Sequence, residues 1–367
     1  MIEKYKLEEL LKKYNININV ASNEQLLSRG EYQEIDDTLD YLINELHIDR
    51  KNIEKCPSVM YYSVDNIKKN AVFLKNSKVS FDKVEKCLHV LSTDNDELVK
   101  TYNYVLTNYG VDIINKTVSV LSIPTSRIIT IENLNIPRIK KKDVITISAG
   151  RNKISDIKDI LQSEEFKAHP ELFTSKVLAR GDLKEIKDIL ASEEFKNHPE
   201  LFTSTVLAEG NLKEIKDILQ SDEFKNHPEL FTSTVLAQGN LEDIQTLLAL
   251  PYWQEERYKK LLTSSIVANS KQMIIKLPIQ FKMAEEYEID DYLTTKFLLA
   301  APSQNYAKIN YLLDNDCLLV EDDKLNRIFS YQPCVLKKRF GIDLKELMNK
   351  YPFDGYKENE FTKHLSH

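Results

Sequence analysis

Glycine and proline are scarce in this chain, at 8 and 11 of 367 residues. That scarcity excludes a collagen-like or linker-rich polymer and weighs against a many-stranded all-β fold. Cysteine is scarcer still. Cys56, Cys87, Cys317 and Cys334 form no CxxC pair and no closely spaced disulfide framework, so they read as reduced, mostly buried thiols. No stretch approaches 18 uninterrupted apolar residues, so no membrane-spanning helix is expected. The opening MIEKYKLEELLKKYNININV is amphipathic and charged, without the apolar core of a signal peptide, which points to a cytoplasmic protein. No HExxH, GxSxG, GxGxxG or phosphate-loop pattern occurs, so neither an enzyme nor a bound cofactor is expected.

What is present is enough to fold. Hydrophobic residues make up 42% and charged residues 29%, with a net charge of −7. The dominant feature is an internal repeat. Residues 157–185, 186–214 and 215–243 are near-identical copies, the second reading IKDILASEEFKNHPELFTSTVLAEGNLKE. Pro170, Pro199 and Pro228 fall in register, as do Gly181, Gly210 and Gly239. A degenerate fourth copy follows with two extra residues, Trp253 standing where Phe166, Phe195 and Phe224 stood.

Each copy reads as a pair of helices. Pro suits the first position of one helix, which runs through PELFTSTVLA to a Gly in the left-handed conformation. Asp182, Asn211 and Asn240 then cap a second helix, with Glu185, Glu214 or Asp243 completing an approximate capping box. Neither helix can bury its apolar face alone, so the copies must stack into a solenoid. Phe166, Phe195 and Phe224 are expected to be buried between them. His169, His198 and His227 precede Pro and read as caps, since stacked helices about 8–10 Å apart hold equivalent imidazoles too far apart for one metal ion.

A looser repeat with a period near 31 precedes it, in YLINELHIDRKNIEKCPSVM (41–60), VFLKNSKVSFDKVEKCLHVL (72–91) and YVLTNYGVDIINKTVSVL (104–121). The fold expected is therefore all-α: an acidic helical cap over 1–50, basic repeats over 51–150 and the 29-residue units over 151–250. A degenerate repeat and helical cap fill 251–367.

The stretch from Ile53 to about Asn133, with its Pro, following apolar pair, helix ending in FL and short V-S turn, resembles the mitochondrial transcription termination factor family. Leu88 stands where that pattern has Pro. The resemblance implies a curved helical array that binds nucleic acid. The unit VLAEGNLKEIKDIL is similar to the helix pair of ankyrin repeats, without their β-hairpin and TPLH start, and to the two-helix unit of TAL effectors, whose short turn carries a base-reading residue. These likenesses imply a recognition row along the turns.

Charge divides by region. Residues 51–150 carry 15 basic and 10 acidic residues, whereas 151–250 carry 12 and 19. Lys68, Lys69, Lys75, Lys78, Lys140, Lys141 and Lys142 are the candidate phosphate contacts, with Tyr61, Tyr62, Tyr102, Tyr104 and Tyr109 able to stack on bases. The residue before each turn glycine varies most, from Arg180 to Glu209 to Gln238. With Asp182, Lys184, Asn211, Lys213 and Asn240 beside it, this position is the candidate specificity row, although an exposed helix end also drifts freely. The expectation is a monomeric recognition protein for DNA or RNA. The alternative is an ankyrin-like scaffold that binds a basic protein partner through its acidic repeats.

Overall fold

The computed structural model describes residues 3–18, 28, 31–316 and 322–355; Cys317 lies outside them. Among the described residues every regular element is a helix, and no strand occurs. None of these helices is long and apolar enough to cross a membrane. The chain forms two compact units, Met1–Leu183 and Lys184–His367, so the boundary falls inside the 29-residue array.

Both units are built from one motif. A short helix ends on a residue near φ −135°, ψ +55°; a tight turn, most often 3-10, follows, and then a new helix starts. In the first unit the ending residue is Cys56, Cys87 and Thr117, and then His169. In the second it is His198 and His227. The 31-residue and 29-residue repeats are thus variants of the same backbone.

Within the 29-residue copies the short helix falls where the sequence pattern suggests only an acidic loop: Glu193–Asn197, for example, with Ser192 accepting from the Phe195 N–H. Its leading glutamates suit the positive end of a helix. Pro199 opens a 3-10 turn, Pro199–Leu201, not the long helix expected, and the next helix begins only at Ser204. Thr203 caps it, accepting from the Thr205 N–H at 3.3 Å. His198 and His227 cap nothing with their side chains. The His198 carbonyl closes the turn, accepting from the Leu201 N–H, while the ring lies 3.8 Å from Glu200.

The glycines also act differently from expectation. Gly210 and Gly239 have φ of −74°, so no left-handed geometry is involved. Their constraint is proximity. The Gly210 N–H donates to the Val206 carbonyl at 2.7 Å, and a Cβ there would lie 2.6 Å from that oxygen. Ser204–Glu209 ends at this glycine and Leu212–Gln220 starts two residues later.

Burial corrects one further expectation. Phe166, Phe195 and Phe224 are only half-buried, and the residues that fill the core are Phe173, Phe202 and Phe231. Each half-buried ring meets its buried counterpart edge to face, at 5.3, 5.5 and 5.4 Å. In the second unit the repeats stack in series: Ser204–Glu209 packs on Ser233–Gln238, which packs on Ser264–Ala268. The degenerate fourth copy therefore belongs to the stack. Its Trp253 is buried and donates to the Leu247 carbonyl.

The cysteines are less buried than expected. Cys56 and Cys87 are half-buried and Cys334 is exposed. Burial pushes the Cys87 thiol up to about 11, with Cys56 adding to the shift.

Candidate functional site

In the first unit Lys68, Lys69 and Lys75 lie on the solvent side of the helix Val64–Asn76, together with Val72, which is 57% exposed. Their spacing of one, three and four residues makes this a single stripe, because the buried residues Ile67, Asn70, Ala71 and Leu74 occupy the opposite face. Lys68 rests over the Tyr41 ring and Lys75 over the Phe81 ring, each about 5.1 Å away. Lys78 is exposed just beyond the helix, and Lys140, Lys141 and Lys142 are exposed at the start of Lys141–Ser148.

Most of the tyrosines expected to stack on bases are committed to the protein. Tyr102 is buried, and its hydroxyl accepts from the Lys78 N–H. Tyr104 and Tyr109 both donate to the Glu132 carboxylate. Burial and then that carboxylate raise the Tyr104 phenol to about 12. Tyr61 and Tyr62 stack on each other at 5.1 Å, and Tyr62 is 38% exposed.

The turn residues divide between the units. Arg180 and Asp182 are exposed in the first, where the Arg180 carbonyl accepts two hydrogen bonds from Arg151. In the second unit the helix start at Leu212 is already occupied by protein groups. Glu185 reaches from the preceding copy and accepts from the Leu212 N–H at 2.5 Å. The Asn211 side chain accepts from the N–H groups of Lys213 and Glu214. An incoming phosphate would have to displace these acceptors, so Lys213 flanks no open amide cradle.

In this unit two of the three variable residues, Glu209 and Gln238, lie side by side along a row of turn residues. Gln238 donates to Glu209 at 3.3 Å, and Asn240 donates to Glu214 at 3.4 Å while capping the Asp243 N–H. Sequence reasoning missed where that row leads. Gln238, Asn240, Glu242, Asp243, Asn269 and Lys271 border an open groove of about 620 Å³. The missed signal was the fourth copy: ANSKQ occupies the place of the earlier turns, so its Asn269 and Lys271 join the row. No group of three or more His, Cys, Asp and Glu among the described residues is arranged to hold a metal ion. No protein-family model, curated protein or solved structure matches this chain.

Proposed function

We propose that this chain is a helical-repeat binding scaffold whose turn row in residues 184–355 takes an extended, basic segment of a partner protein. The observation behind this reading is the groove at Gln238 and Asn240. Its wall bears Glu242 and Asp243 against the single cation Lys271. Glu209 and Glu214 continue the row through their hydrogen bonds to Gln238 and Asn240. Carboxylates and amides at a regular pitch suit the guanidinium and ammonium groups of an extended chain, where complementarity governs encounter and register. Binding of a fluorescent oligo-arginine peptide tests it. Replacing Glu242 with Gln and Asp243 with Asn together should weaken binding by about tenfold, and unchanged affinity would refute the proposal.

A second reading rests on the lysine stripe of Val64–Asn76, which suits a polyanion. If it takes nucleic acid, neutralising Lys68, Lys69, Lys75 and Lys78 flattens the salt dependence, by about 0.9 in slope for each duplex phosphate that is no longer neutralised. An unchanged slope would leave the stripe as a solvated helix face.

A further inference from the structure

We propose that the second unit holds a binding site for a small organic anion, with the Lys308 ammonium as its anchor. Lys308 lies on the helix Pro302–Asp314 and is 3% exposed. It borders a cavity of about 320 Å³ between that helix and residues 329–333. No carboxylate among the described residues pairs with it, and burial alone lowers its pKa to about 8. A cation taken from water without a counter-ion is unfavourable, and an anion delivered to the cavity would remove that penalty.

The surroundings point the same way. Among the described residues no Asp or Glu lines the cavity. Lys296 adds a second cation at its edge. Gln332 and Pro333 begin the helix Pro333–Phe340 there, so the positive end of a two-turn helix also faces the space. Behind Tyr331, Arg339 donates to the hydroxyl at 3.0 Å and stacks on the ring. Among the described residues, every charged group lining the cavity is therefore of the same sign as Lys308, and none neutralises it.

Leu299, Phe329 and Pro333 supply the apolar part of the lining. A bare inorganic ion would leave that surface unused. A carboxylate on a compact apolar body would place its charge at Lys308 and its body against Leu299 and Phe329. The volume lies at the lower end for ligand cavities, which restricts the body to about one ring or a short branched chain.

The test uses the full chain with sodium benzoate, inorganic phosphate and sodium chloride at matched ionic strength. After reductive methylation with carbon-13, one lysine resonance should titrate near pH 8, and saturating benzoate should raise its midpoint to about pH 9 or above. Calorimetry should show saturable benzoate binding that Lys308→Met abolishes. Benzoate behaving like sodium chloride, or binding undiminished in Lys308→Met, would overturn the proposal. Tighter binding of phosphate than of benzoate would overturn the assignment to an organic anion. Should Lys308→Met fail to fold, the resonance of the unaltered chain still decides.

Discussion

The two repeat arrays share a backbone but treat one position in opposite ways. In the 31-residue array, Asn70 and Thr101 fall seven residues after Ser63 and Asp94, which precede their helices. In the 29-residue array, Gly210 and Gly239 fall seven residues after Thr203 and Thr232. Asn70 is fully buried and donates to the carbonyls of Leu91 and Thr93, and Thr101 donates to that of Ile123. Each reaches the turn of the following repeat, and the helix around it runs on for 13 or 15 residues. Where glycine stands instead, the helix stops, and the joint is made by the half-buried Glu185 carboxylate on the Leu212 amide. A buried polar peg permits a long helix. Its loss shortens the helix and moves the polar joint outward.

That contrast can be broken at several points. The largest effect should come from Phe202→Ala, because the 29-residue array relies on apolar filling where it lacks pegs. Phe202 is 2% exposed, so denaturant titration should show a loss of about 3–5 kcal/mol. Phe195→Ala, at a half-buried ring, should lose clearly less. Asn70→Ala should follow at about 1–3 kcal/mol, since it strands the buried Leu91 carbonyl and the Asn95 amide that donates to it. A negligible loss there would show that the peg is dispensable.

Asn211→Ala removes one exposed cap and should cost about 1 kcal/mol, read by the same titration. The smallest effect concerns acid. The Thr125 N–H donates to Glu97 at 2.6 Å and holds that carboxyl below its ordinary 4.5. The folded-state value is the depressed one, so this contribution is complete above about pH 4.5 and is lost as pH falls through the folded value. Glu97→Gln should flatten the acid limb of the first unit's stability curve, and an unaltered limb would exclude the bond as a source of it.

The sequence made the helical class and the repeat boundaries readable because near-identical copies fix register without any propensity argument. Asn211 and Asn240 were readable as caps for the same reason. The break before Ser204 was hidden, since PELFTSTVLA has unbroken helical periodicity and only the Thr203 cap reveals the division. The burial of Phe202 over Phe195 was equally hidden, because the two rings differ in environment and not in type. Lys308 left a faint trace: it shares a helical face with Asn305 and Leu312, both buried. Spacing shows that a lysine turns inward, but only packing shows that no described residue of opposite charge meets it.

The reach of Glu185 to Leu212 has a bearing on how such a chain lengthens. Donor and acceptor of this joint lie 27 residues apart, in consecutive copies of sequence that is repeated almost unchanged. Duplicating or excising a whole 29-residue block therefore keeps a Glu and a Leu amide at the same spacing across the new junction, whereas any other length leaves the carboxylate facing the wrong partner. Unequal recombination between the near-identical coding segments would yield whole blocks. The array can change its count by single modules and remain foldable at each step.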